Sequence, residues 1–330
     1  MTLRSVLATL AAVLLVPWIG ATPAGARAKV ESKASAGCGS SKVREGEERI
    51  STTSGGVERG YFRHVPPAHD GEKPLPLVLD LHGASEPSTV HKGNSSLGTL
   101  GDERGFVTIT PDGSGPVPHW DTRLESTDMV FLVDVLDEVE QTLCIDESRV
   151  FVAGYSNGAF AASVLACAYS DRIAAVAPVA GIRNVPGCAP ARPVPVVAFH
   201  GTADEFVRFE GGLGSGVADL PPAEAQALID LAAPTDSGES IPEVAAAWAQ
   251  RNGCAAAPKE RSVASDVTLV RYRCPGRADV QLYVAEGAGH TWPGSQFSKA
   301  IEQFVGPTTF SIDASTIMWR FFERHPLRDG

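Results

Sequence analysis

Apolar and polar positions lay out strands and helices in turn along this chain. Arg49–Thr53 and Gly60–Val65, joined across Gly55-Gly56, read as a β-hairpin with a glycine turn. Pro76–Leu81 is a short apolar run ending in His82-Gly83, the pattern of a buried strand. Phe106–Thr110 is a second such run, stopped by Pro111-Asp112-Gly113. In Thr127–Leu143 the apolar residues Met129, Leu132, Val133, Leu136 and Val139 recur at spacings of three and four, and the acidic residues fall largely elsewhere. That period predicts an amphipathic helix, with Ser126 or Thr127 as its cap. Further strands are predicted over Arg149–Ala153, Ile173–Val179, Val194–Phe199 and Asp279–Ala285, and helices over Asn157–Tyr169 and Ala314–Arg324. Strands alternating with helices predict an α/β fold, a mostly parallel sheet with helices on both faces. In such sheets the reactive groups collect at the carboxyl ends of the strands.

The N-terminus departs from this pattern. Arg4 precedes an almost wholly apolar run, Val6–Ile19, which is too short to span a bilayer. Pro17, Gly20 and Pro23 break it, and Ala24-Gly25-Ala26 fits a small-residue cleavage site. Residues 1–26 therefore read as a signal peptide for export, 27–45 as a loose leader, and 46–330 as one catalytic domain. No later stretch has the 18 apolar residues of a membrane span. Residues 210–240 are rich in Gly, Ala, Pro, Asp and Glu and have little periodicity, the texture of a surface excursion or of a lid.

Composition narrows the function. The chain has 330 residues, of which 43% are hydrophobic and 20% charged, so a sizeable core is available. The formal net charge is -11 and no basic run occurs, which argues against nucleic acid and anionic membrane as partners. The six cysteines are even in number and none forms a CxxC pair, which in an exported chain points to disulfides and away from zinc. Spacing suggests Cys254 with Cys274, closing a compact polar loop, and Cys167 with Cys188 around a strand. Cys38 with Cys144 then remains. Ala36-Gly37-Cys38 resembles the end of a lipid-attachment motif, but Ser35 and the distance from the apolar run disfavour an anchor there.

The candidate chemistry is acyl transfer. Gly154-Tyr155-Ser156-Asn157-Gly158 follows the strand Arg149–Ala153 and precedes a helix. This strand-turn-helix elbow presents a serine nucleophile. A serine needs a base, usually a histidine oriented by a carboxylate, and on this architecture the order is Ser, acid, His. Of eight histidines, His290 in Gly287-Ala288-Gly289-His290 follows the last strand, while His325 lies in the charged tail. Asp204, in His200-Gly201-Thr202-Ala203-Asp204 after another strand, is the candidate acid, with Glu205 as its neighbour and rival. The backbone N–H groups of Asn157 and of Ala84, with Ser85 as alternative, are candidate oxyanion donors. His82 reads as a brace for that loop. Trp120 and Trp292 lie in loops on the presumed rim and are candidate substrate contacts, with core packing under those loops as the alternative.

Leu81-His82-Gly83, the Ser156 motif, His200-Gly201-Thr202-Ala203-Asp204 and Gly289-His290-Thr291-Trp292-Pro293-Gly294 occur in order. With Ala246-Ala247-Trp248-Ala249-Gln250-Arg251-Asn252-Gly253-Cys254, they resemble the polyhydroxybutyrate depolymerase and feruloyl esterase group over residues 36–325. The resemblance implies the α/β-hydrolase fold, a Ser156, Asp204, His290 triad, and an ester substrate of polyester-oligomer or hydroxycinnamoyl type. A triad of this kind needs neither metal nor organic cofactor, and with the N-terminal signal the expectation is a secreted monomer. Segment 210–240 is longer than usual for the group, and no Ser/Thr-rich linker or polymer-binding segment follows residue 325. An acyltransferase with the same triad, or a hydrolase-fold protein that only binds, are the competing readings.

Overall fold

The computed structural model describes residues 32–39, 43–222, 224–226, 229 and 238–328. The signal-peptide reading of 1–26 lies outside them, as do parts of the expected leader and of segment 210–240. Ten strands form one sheet in the order β1-β2-β4-β3-β5-β6-β7-β10-β9-β8. They are β1 (Gly46–Ser54), β2 (Val57–Val65), β3 (Leu75–Leu81), β4 (Val107–Pro111), β5 (Ile145–Tyr155), β6 (Ala175–Val179), β7 (Val196–Gly201), β8 (Lys259–Ala264), β9 (Val267–Tyr272) and β10 (Val280–Ala285). From β4 to β10 neighbouring strands run parallel, and antiparallel pairs close both edges.

Side chains of β5 alternate between two cores, as the period of a strand requires. Val150 and Val152 pack on one face, Phe151 and Ala153 on the other. The first core is covered by α3 (Thr127–Thr142), α4 (Asn157–Ala168) and α5 (Ile241–Arg251). The second is covered by α2 (Leu97–Arg104) and by the last helix, α8 (Ala314–Phe322), through Leu97, Met318, Trp319, Phe321 and Phe322. Short helices α1 (Ser88–Ser95), α6 (Gln296–Ala300) and α7 (Glu302–Val305) also lie among the described residues. Ser126 caps α3 by accepting from Met129 N.

Three features differ from the sequence reading. Helices α1 and α2 fill a stretch for which no element was predicted, and β8 with β9 forms a hairpin where a compact loop was expected between Cys254 and Cys274. The leader is docked where it is described. Ala34 bridges to Asp146, Ser35 Oγ donates to Leu143 O at 2.7 Å, and Cys38 is bonded to Cys144. A chain stitched by backbone and disulfide cannot be loose. Because the Cys38 sulfur is used in that bond, it is not available for a lipid. Cys167 pairs with Cys188 and Cys254 with Cys274. Among the described residues no helix is long and apolar enough to cross a membrane.

Candidate active site

Ser156 sits between the end of β5 and the start of α4, with φ 54° and ψ −118°. A non-glycine residue in this strained region is held there by its surroundings. The flanking glycines are what make the turn possible. A Cβ on Gly154 would run into the Gly158 carbonyl, and one on Gly158 into the Leu81 carbonyl at the end of β3. Ser156 N donates to Val179 O at 2.9 Å, pinning the elbow to β6.

Asp204 and His290 meet from the loops after β7 and β10. His290 Nδ1 lies 2.8 Å from Asp204 Oδ2, and both side chains are buried. The second oxygen, Asp204 Oδ1, accepts from Phe206 N and Val207 N, each at 2.9 Å. Burial would raise the Asp204 pKa, but the opposing pull of His290 and the hydrogen bonds from His200 and His290 win and hold it well below the ordinary carboxylate range. The His290 loop is fastened in turn: His290 N donates to Val305 O at 2.7 Å, and the Tyr155 hydroxyl donates to His290 O at 2.5 Å.

Sequence reasoning did not single out His200 as a partner of Asp204. Its Nε2 lies 2.8 Å from Val207 O and 3.3 Å from Asp204 Oδ2. A carbonyl only accepts, so Nε2 carries the proton and is shared between the two oxygens. The spacing of four residues within His200-Gly201-Thr202-Ala203-Asp204 was the available signal.

The loop after β3 sorts its own donors. Gly83 N donates to Glu86 Oε2 at 2.9 Å and Ser85 N to Pro118 O at 2.8 Å, so Ser85 is already committed. Ala84 lies between them and lines the same cavity as Ser156. Asn157 is the first residue of α4, where an N–H has no acceptor within the helix. His82 braces the loop: Nε2 accepts from Gly113 N at 2.8 Å, so Nδ1 donates to Gly83 O at 2.7 Å. Its burial lowers the pKa to about 4, so it stays neutral.

The two tryptophans are not on the rim. Trp120 is 0% exposed and its indole donates to His82 O at 2.9 Å; Trp292 is 1% exposed and donates to Ser315 Oγ at 2.9 Å. Each ring finds an acceptor inside, which removes the penalty for burying the indole N–H. Neither lines the cavity. The cavity, about 400 Å³, is instead walled by phenylalanines and aliphatic residues that sequence reasoning passed over, among them Phe160, Phe206, Phe297 and Phe304. Leu213, Val217 and Leu220, from the described start of segment 210–240, close one side of it. No group of three or more His, Cys, Asp or Glu among the described residues is placed to hold a metal.

A parallel sheet with antiparallel edges, and a serine elbow at the carboxyl end of β5, define the α/β-hydrolase fold. A solved acetyl xylan esterase from Aspergillus awamori shares it, with a TM-score of 0.55 at 18% identity, covering 78% of this chain and 98% of that one. In sequence the chain is similar to feruloyl esterase B of Piromyces equi, 27% identical over 235 residues and 68% of this chain. It is also similar to poly(3-hydroxyalkanoate) depolymerase C of Paucimonas lemoignei, 30% identical over 129 residues and 36% of this chain. The chain spans 41% of the first protein's length and 30% of the second's. No protein-family model matches. The chain thus has the α/β-hydrolase fold and is similar in sequence to a feruloyl esterase and to a poly(3-hydroxyalkanoate) depolymerase.

Proposed function

We propose that this protein is an exported serine esterase that hydrolyses carboxylic esters with an apolar acyl group. The observation that carries the proposal is the convergence of three elements on one apolar cavity. Ser156 and His290 both line it, and Asp204 holds His290 from behind. His290 Nδ1 donates to Asp204, which leaves Nε2 with its lone pair as the base. Nε2 takes the Ser156 proton as Oγ attacks the ester carbonyl. The oxyanion is met by Ala84 N–H and Asn157 N–H. His290 then protonates the departing alcohol, and an acyl-enzyme remains. Water, deprotonated by His290, releases the acid and restores Ser156.

The apolar walls favour an aryl or short alkyl acyl group, which both hydroxycinnamate esters and hydroxyalkanoate oligomers offer. The names of the two sequence relatives support the same pair of substrate classes. Export is supported by the apolar run Val6–Ile19 and by three disulfides, bonds that persist in oxidising compartments.

The test is a parallel assay on methyl ferulate, 3-hydroxybutyrate oligomers and a short p-nitrophenyl ester, with fluorophosphonate labelling of the folded protein. Labelling at Ser156 and hydrolysis of at least one of the first two substrates are expected. A folded protein that takes up no label and cleaves none of the three would overturn the proposal.

A further inference from the structure

Helix α1 follows the Ala84 loop directly, yet its buried face is polar: Ser88, His91, Asn94 and Ser95. Trp292 follows His290 by two residues and touches no part of the cavity. These two features meet in one hydrogen-bond network. Glu86 Oε2 accepts from Gly83 N in the oxyanion loop, and Oε1 accepts from Asn94 Nδ2 at 3.2 Å. Asn94 Oδ1 accepts from Ser295 Oγ at 2.7 Å and from Ser298 Oγ at 2.9 Å. Ser298 Oγ accepts from Trp292 N at 3.0 Å, in the loop that bears His290. A second arc runs from the Trp292 indole through Ser315 Oγ to Ser95 O, and from Ser95 Oγ to Asp80 Oδ2 at 2.5 Å. His91 lies between Asp80 and Glu86, at 2.8 and 2.9 Å, and bonds both carboxylates.

We propose that Asn94 is a positioning residue that holds the oxyanion loop and the His290 loop in register, an inference that rests on the esterase reading above. An amide is the one group that fits the place. It donates to Glu86 on one side and accepts from two serines on the other. Aspartate would set a second anion against Glu86, and leucine would leave Glu86 Oε1 and the hydroxyl protons of Ser295 and Ser298 without the partners they have here. Ala84 N–H must meet the charge that develops as His290 takes the proton. A register error of a fraction of an ångström between the loops therefore weakens the transition state more than the substrate complex.

The experiment compares the full chain with Asn94→Ala, with the pair Ser295→Ala/Ser298→Ala, and with all three changes together. Active sites are counted by fluorophosphonate labelling, so that rates refer to folded protein. Expected is a fall in kcat per labelled site of about ten- to hundredfold for Asn94→Ala, with KM on a short p-nitrophenyl ester unchanged. Affinity for an arylboronic acid, a mimic of the tetrahedral adduct, falls by the same factor. The serine pair gives a comparable fall, and the triple variant is no worse than Asn94→Ala alone, because all three break one link. Unchanged kcat per site, a rise in KM alone, or penalties that multiply would overturn the proposal. Should Asn94→Ala not fold, the serine pair decides by the same kcat, KM and boronate readings. Failure of the wild type to label and to cleave any ester would instead remove the esterase reading, and this inference with it.

Discussion

The Asp204 carboxylate stays charged in a place from which water is nearly excluded, because four N–H groups converge on it. In the proposed mechanism its work is to fix which nitrogen of His290 carries the proton. Asp204→Asn is nearly isosteric but offers an amide N–H to Nδ1 and so favours the opposite tautomer. It is expected to lower kcat by roughly three to four orders of magnitude with the fold intact. Steady-state kinetics per labelled site, alongside a melting curve, checks this, and a loss below tenfold would separate Asp204 from the chemistry. The placement of Ser156, Asp204 and His290 was legible because each stands in a glycine-marked turn at the end of an apolar run, and glycine records a backbone constraint in the sequence itself. For Trp120 and Trp292 the choice between rim and core was not legible, for a matching reason. A tryptophan in a loop says nothing of which way its ring turns. The acceptors that draw both rings inward, His82 O and Ser315 Oγ, lie 38 and 23 residues away.

Elements were legible where an apolar stripe faced a core. Every strand from β3 to β7 is such a run, and α3 shows its stripe plainly. Helix α1 was hidden because it turns serine, histidine and asparagine inward, so hydrophobic period carries no trace of it. Strand β8 was hidden because it lies at the sheet edge and begins with four exposed residues, and so shows no alternation. The docking of 32–39 depends on partners more than a hundred residues away, which no local pattern can report. The Cys38–Cys144 bond, with a sequence separation of 106, is the element-scale feature with the largest expected effect on stability. Replacing both cysteines by serine is expected to cost about 3–5 kcal/mol by the chain-entropy argument. Urea unfolding of the double variant measures this, while kcat per site should be unchanged, since the bond lies at the far end of β5 from Ser156. A shift under 1 kcal/mol would mean that the leader's docking survives without the bond.

Across the whole molecule, three buried histidines set opposing dependences of stability on pH. His82 and His325 are pushed down from 6.5 to about 4, chiefly by burial. Unfolding lets each take up a proton that the folded state refuses, so their contribution is full above about pH 6.5 and is lost as pH falls towards 4. For His91 burial works against the charge, but Asp80 and Glu86 outweigh it and raise the pKa to about 10. Its contribution is full below about pH 6.5 and is lost as pH rises towards 10. Melting temperature should therefore pass through a maximum near pH 6–7, and His91→Gln should flatten the alkaline limb alone. An alkaline limb that is the same in wild type and His91→Gln would show that His91 is not the group responsible. One consequence of the docked N-terminal segment concerns how the protein can be held. Lys33 pairs with Asp146 and Glu147 at the start of β5, and Ser156 follows the strand's other end, roughly 20 Å away at the rise of the neighbouring strand β3, whose Leu75 and Leu81 stand beside Ile145 and Gly154. Residue 32 thus leaves the domain at the pole opposite the cleft. A protein grafted through that end to a bead or an insoluble matrix would stand with its mouth outward, open to a solid substrate brought against it.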